Sequence, residues 1–188
     1  MSDFLVSVAV IFVAELGDKS QLMALAFAAR YRAVPVLVGI SIATALVHAV
    51  SVLVGAVLGV ALPTRTISVA AGLAFLGFAV WTLRGDTLDE DEAGRAERST
   101  GSAVVAAAVA FFLAELGDKT MLATVTLATK EGALAVWAGS TFGMVAADAL
   151  AIIVGRQLGA RLPQRVIRSA AATSFVVFGL LLVAEGVR

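Results

Sequence analysis

The hexapeptide Glu-Leu-Gly-Asp-Lys-Ser at residues 15–20 returns as Glu-Leu-Gly-Asp-Lys-Thr at 115–120. Each copy places two carboxylates three residues apart, Glu15 with Asp18 and Glu115 with Asp118, a spacing that puts both on one face of a helix. Gly17 and Gly117 lie between the acids, where glycine permits an unwound turn and exposes backbone carbonyls beside the carboxylates. Ser20 and Thr120 add hydroxyl oxygens. The chain has no cysteine, so these donors are hard oxygens, a set that suits Ca²⁺, Mn²⁺ or Mg²⁺ better than Zn²⁺ or Cu⁺. Against the four acids stand Lys19 and Lys119, which leaves a charge of −2 if both lysines are charged and face the site. One divalent cation balances that charge, and so do two protons. The chemistry expected of the motif is therefore exchange of a metal ion for protons.

Apolar helices must position these groups. Of 188 residues, 60% are hydrophobic and 15% charged, with a mean hydropathy of +0.98. Soluble chains carry about 25% charged residues, so lipid is the expected solvent for much of this surface. A helix crosses the hydrocarbon in about 20 residues. Six stretches qualify, at about 4–29, 33–62, 66–83, 103–129, 133–155 and 166–185. Asp3 and the acids Glu15 and Asp18 argue that the first is a mature span rather than a cleaved signal peptide. Glu15 falls roughly 16 Å along its span by helical rise, near the bilayer midplane, and Glu115 sits at a similar depth in the fourth. An ionised carboxylate there costs about 2.5–3.5 kcal/mol. A purely structural cluster paired with the lysines is the alternative to a transport site, and the less favoured one, because ionisable groups at that depth usually mark function. The lysines themselves either neutralise acids or reach toward an interface.

The two halves align at a constant offset of 100 without a gap. Ala14 to Lys19 repeats at Ala114 to Lys119, and Gly39, Gly55, Gly59, Pro63 and Phe75 recur at Gly139, Gly155, Gly159, Pro163 and Phe175. That register signals duplication. The expected fold is an all-α membrane protein of six transmembrane helices, with repeats at 1–84 and 102–188 joined by an acidic linker at 85–101. Three spans per copy is an odd number, so the second copy enters from the opposite face and the repeats are inverted. Arg30, Arg32, Arg84, Arg95, Arg98, Arg156, Arg161, Arg165 and Arg168 fall on one side, and Arg65, Lys130 and Arg188 on the other. By the positive-inside rule the linker is cytoplasmic and both termini lie outside.

Further polar residues sit within the spans. Asp148, whose counterpart at offset 100 is His48, reads as a fifth ligand or a proton carrier, with a bond to a neighbouring helix as the alternative. His48, the single histidine, reads first as a hydrogen-bonded packing residue and second as a proton relay. Gln21 offers an amide oxygen that its counterpart Met121 lacks. Met23, Met121 and Met144 are expected to fill gaps rather than bind metal. Gly55 and Gly59, like Gly155 and Gly159, suit close helix approach. Zero net charge gives no reason to expect a nucleic-acid partner. No nucleophile triad or phosphate loop is present, so neither an enzyme nor an ATP-driven pump is indicated.

The doubled hexapeptide, three spans per copy and the acidic central loop resemble the family of calcium/manganese cation–proton antiporters of Golgi, thylakoid and bacterial membranes, which carry two copies of Glu-x-Gly-Asp-Lys/Arg-Ser/Thr. The resemblance covers essentially the whole chain, with no departure from the hexapeptide in either copy. It implies M²⁺/H⁺ antiport, with Mn²⁺ export the usual role of bacterial members and Ca²⁺/H⁺ or mixed exchange the alternative. Carried over, the cation-binding acids are Glu15, Asp18, Glu115 and Asp118, with Asp148, Ser20, Thr120 and Gln21 as further candidates. Asp148, Glu15, Glu115 and His48 are the candidates for proton coupling. No cofactor is implied beyond the transported ion. The compact chain points to a bacterial inner membrane, and a homo-oligomer is left open. A non-transporting membrane scaffold is the alternative of another class.

Overall fold

The computed structural model describes residues 2–84, 102–158 and 164–187, and all regular structure among them is helical. The acidic linker expected at 85–101 lies outside the described residues. In chain order the helices are α1 (Ser2–Glu15), α2 (Lys19–Arg30), α3 (Ala33–Ala61), α4 (Thr64–Arg84), α5 (Ala103–Glu115), α6 (Lys119–Ala128), α7 (Ala133–Leu158) and α8 (Gln164–Val187). The first and fourth expected spans are thus not continuous. Each breaks at Leu-Gly-Asp, where Gly17 has φ 75° and Gly117 φ 80°, the positive φ values among the described residues. That left-handed conformation costs a residue with a Cβ about 1–2 kcal/mol, and glycine adopts it freely. Asp18 N–H bonds to Glu15 O at 3.1 Å and Asp118 N–H to Glu115 O at 3.2 Å, so each break is a single tight turn.

The longer helices follow from composition. Lipid offers no partner for backbone polar groups, and a helix satisfies them internally. Ala33–Ala61, Arg65–Arg84 and Ala133–Gly155 are long and apolar enough to cross a membrane, and Ala103–Glu115 and Ala171–Val187 are shorter apolar helices. Helix α3 has 29 residues, roughly 43 Å by helical rise, which exceeds the hydrocarbon thickness. It stops where Pro63 follows: Leu62, at φ −119° and ψ 148°, takes the extended backbone that a residue before proline favours. Leu53, Val57, Val60, Leu73, Phe142 and Leu181 point outward, as a lipid-facing surface requires.

The two copies do not form separate bundles. Helix α1 packs chiefly on α7, and its counterpart α5 packs on α3. Helix α2 likewise meets α7, α6 meets α3, and α4 lies along α8. Each copy therefore packs its first span on the second span of the other. Glycines set the separation: Gly39 of α3 abuts the backbone of Val104 on α5, and Gly139 of α7 abuts that of Phe4 on α1. A Cβ at either would lie 2.5 Å from a carbonyl oxygen, closer than van der Waals contact allows. Gly55 and Gly59 face α6 and the residue after it, at Val125 and Thr129, which is the close approach expected of them. Phe75 and Phe175 meet with ring centroids 5.8 Å apart. One apolar cluster gathers Met23, Phe27, Ile40, Phe111 and Ala114; another gathers Val10, Ala14, Phe75, Met144 and Phe175. Ala14 and Ala114, the residues before the two motif glutamates, belong to different clusters.

Candidate functional site

Both helix breaks bring their acids inside. Glu15, Asp18, Glu115, Asp118 and Asp148 are all buried, as are Ser20 and Thr120. The turn at Gly17 separates the carboxylates of Glu15 and Asp18 into different environments. Glu15 stays at the end of α1 and accepts a short hydrogen bond from Ser20 Oγ on α2. Glu115 accepts one from Thr120 Oγ1 at 3.1 Å. This five-residue reach is not a spacing that a continuous helix brings together; the break creates it.

Asp18 and Asp118 occupy the N-cap positions of α2 and α6, yet neither side chain caps its own helix. Each turns instead to the lysine of the other copy. Lys119 Nζ is paired with Asp18 Oδ1, with Lys119 and Asp18 side chains only 2% and 0% exposed. The reciprocal pair, Lys19 Nζ to Asp118 Oδ1, is 4.0 Å long, and Lys19 is 19% exposed. The partial positive charge at the starts of α2 and α6 adds to this, since helix N-termini favour nearby anions. The charges of all these groups overlap: Glu115 lies within electrostatic reach of Glu15, Asp118, Asp18 and Asp148, and Glu15 of Asp18, Lys119 and Asp118. Among the described residues no three carboxylate or imidazole groups form a ready metal cage. The aspartates are on lysines and the glutamates on hydroxyls, so the acids share one buried region without converging on one point.

The remaining candidates divide. Gln21 Oε1 accepts from Gly17 N–H at 2.8 Å, and its amide donates to Ala147 O on α7 at 3.1 Å. Its oxygen closes the turn and ties α2 to α7. In the second copy Met121 Sδ takes that place, 3.2 Å from Gly117 N. His48 is buried on α3, with Nδ1 3.4 Å from Thr141 Oγ1 on α7. Met144 Sδ accepts from its own counterpart, Thr44 Oγ1, at 3.5 Å. Two features lay outside the sequence reading. One is the crossed lysine–aspartate pairing, which the offset of 100 hinted at only through identity of the motifs. The other is a cavity of about 380 Å³ between α1, α4, α6 and α8, with Thr126, Lys130, Glu131 and Glu185 on its rim and Val10 and Phe75 deeper.

Comparison with known proteins finds relatives along nearly the whole chain. Residues 3–90 and 103–188 match the family described as divalent cation/proton antiporter GDT1. A candidate manganese exporter of Vibrio cholerae is 34% identical over 183 residues, covering 96% of this chain and 90% of the relative. A GDT1-like protein of Synechocystis is 30% identical, with 96% of both chains covered. The chloroplast protein PAM71 of Arabidopsis thaliana is 32% identical over 98% of this chain, which spans 57% of that longer relative. No solved structure matches.

Proposed function

The chain belongs to the GDT1 family of divalent cation/proton antiporters, and from that premise we propose that it is an integral membrane Mn²⁺ exporter driven by proton entry. The observation that carries the reading is the burial of two acid-lysine hexapeptides at paired helix breaks, with each lysine on the aspartate of the other copy. Glu15, Asp18, Glu115 and Asp118 are the proposed cation ligands, assisted by Ser20 and Thr120. In the cation-free state Lys119 supplies the positive charge that Asp18 needs inside an apolar bundle. Metal binding then replaces an ammonium by a cation at that carboxylate, and proton binding to the acids releases the metal. The charge of −2 left by four acids and two lysines supports a balance of one M²⁺ against two H⁺.

In this reading α1 with α2, α3, α4, α5 with α6, α7 and α8 are six spans in two inverted repeats. The exchanged packing of α1 on α7 and α5 on α3 supports it. Both termini lie outside a bacterial inner membrane and the linker is cytoplasmic. Asp3 bonds to Gly132 N–H at 3.2 Å and Lys130 to Glu185 at 2.7 Å, which gathers both chain ends and the α6–α7 loop at one end of the bundle. Rocking of one repeat against the other around the acids would give alternating access. The Vibrio cholerae relative favours Mn²⁺. The all-oxygen donor set favours a second reading, Ca²⁺/H⁺ or mixed exchange.

Reconstitution into sealed vesicles with a metal-sensitive dye inside tests both. Mn²⁺ movement driven by an imposed pH gradient is expected, abolished by Glu115→Gln and by Asp118→Asn. The same vesicles given Ca²⁺ rank the two ions. Folded protein in sealed vesicles that moves neither metal overturns the proposal.

A further inference from the structure

Asp148 distinguishes the two halves of the site. It lies on α7, the helix that packs on α1 and α2, and it is 0% exposed. Among the described residues, no hydrogen bond of ordinary geometry reaches either of its carboxylate oxygens. Its neighbour Ala147 accepts a hydrogen bond from Gln21 of α2, which sets this stretch of α7 against the first motif. Glu15 and the Ser20 hydroxyl, which Glu15 also engages, lie within reach of Asp148, and Glu115 is within electrostatic reach of it as well. Glu15 Oε1 is itself buried without a hydrogen-bond partner. Leaving aside the lysine-paired aspartates, one side of the site therefore holds three such carboxylate oxygens, two from Asp148 and one from Glu15.

Among the described residues the other side has no carboxylate at the place corresponding to Asp148. The counterpart of Asp148 is His48, whose ring is turned to Thr141. Around Glu115, leaving aside the lysine-paired aspartates, the one oxygen of this kind among the described residues is its own Oε1. A buried polar group without a partner is costly, and a buried carboxylate is more so. Packing does not explain Asp148, because an alanine or serine would fill that position at lower cost. A hard divalent cation takes six or more oxygen ligands, and the hexapeptide aspartates already face lysines. The open donors that complete such a shell are concentrated beside Glu15.

Resting on the reading of these acids as a cation seat, we propose that Asp148 is a fifth carboxylate ligand that draws the transported ion to the Glu15 side. The two hexapeptides then bind the ion unequally although their first five letters are the same. Glu15, Ser20 and Asp148 supply the tighter half, and Glu115 with Thr120 the weaker.

Mn²⁺ titration of the purified full-length protein, read from the EPR signal of free Mn²⁺, tests this without requiring transport. Asp148→Asn is expected to weaken binding about tenfold or more, the scale seen when groups around a metal are lost. Glu15→Gln should weaken it as much. Combining the two should cost far less than the product of the single effects, whereas Asp148→Asn with Glu115→Gln should multiply. Exchanging the counterparts, His48→Asp with Asp148→His, should restore affinity and move the greater sensitivity from Glu15 to Glu115. This exchange also serves if Asp148→Asn fails to fold. Wild-type affinity in Asp148→Asn, or equal sensitivity to Glu15→Gln and Glu115→Gln, overturns the role of Asp148 and leaves a symmetric four-carboxylate seat. Wild-type protein that binds neither Mn²⁺ nor Ca²⁺ overturns the cation-seat reading itself.

Discussion

The two hexapeptides differ in one letter in six, Ser20 against Thr120, yet they sit in different surroundings. In the first, Asp18 is closed off against a buried Lys119; in the second, Asp118 faces a partly exposed Lys19 at 4.0 Å. Gln21 clasps the first turn and reaches α7, whereas Met121 covers the second with a thioether. Asp148 stands beyond Glu15, and His48 replaces it on the other side. The difference teaches where the site's chemistry is decided. Duplication supplies the acids and the breaks, and helices α3 and α7, with the residue one step beyond the motif, supply the inequality.

The lysines offer the largest contrast. Removing one partner of a buried ion pair leaves an uncompensated charge and costs about 3–5 kcal/mol. Lys119→Met is expected to destabilise the detergent-solubilised protein on that scale. Lys19→Met, at a longer and partly solvated pair, should cost about 1 kcal/mol or less. Adding Asp18→Asn to Lys119→Met should recover much of the loss, because the orphaned charge goes with it. Unfolding midpoints of the four proteins measure this. Equal losses in the two lysine variants would break the comparison and make the pairs equivalent.

Part of this arrangement is legible in the sequence. The offset of 100, the apolar lengths and the motif depth are properties of the letters, and Gly17 and Gly117 already flagged a possible turn. What the letters do not carry is which side chains cross between copies. Glu15 to Ser20 is a five-residue contact that exists only because the helix breaks, so helical periodicity hides it. Asp18 to Lys119 depends on the two breaks meeting back to back, a consequence of α1 packing on α7 rather than of any local pattern. Gln21 looked like an oxygen donor because its chemistry is right. Its oxygen is held by Gly17 N–H, and only the position of the positive-φ turn reveals that.

Gln21 gives the intermediate effect. Gln21→Met rewrites the first copy as the second, exchanging two hydrogen bonds for a thioether contact. A typical intramolecular hydrogen bond contributes about 1 kcal/mol net, so a loss of about 1–2 kcal/mol is expected. The reverse change, Met121→Gln, should stabilise little, because the residue at the position of Ala147 in the other half, Val47, already accepts from Ser51 Oγ. Urea or thermal unfolding of the pair reads the asymmetry directly. Equal and opposite changes would show that the clasp belongs to the motif and not to its surroundings.

The smallest effect lies at the rim of the cavity, where Glu131 is the counterpart of Tyr31. Tyr31 stacks on Phe27 at 6.2 Å and lies under Arg30, an end closed by rings. Glu131 instead lies against Asp3, in the loop outside the spans. Burial first, then the charge of Asp3 and a hydrogen bond to it, raise the Glu131 pKa above its usual 4.5. The folded protein therefore keeps a proton on Glu131 over a pH range where the unfolded chain has released it. Its contribution to stability is present below the unfolded pKa and is lost as pH rises through the raised one. Glu131 keeps part of its surface in solvent, which screens these charges, so the change is small. Glu131→Gln keeps a hydrogen-bond donor toward Asp3 at every pH and should flatten the dependence of the unfolding midpoint on pH just above 4.5, leaving its value at lower pH nearly unchanged. Tyr31→Phe at the opposite end should leave the pH dependence as it is. If Glu131→Gln leaves the slope intact, the contact between Asp3 and Glu131 is not what the two ends differ by, and the comparison narrows to the ring-closed end alone.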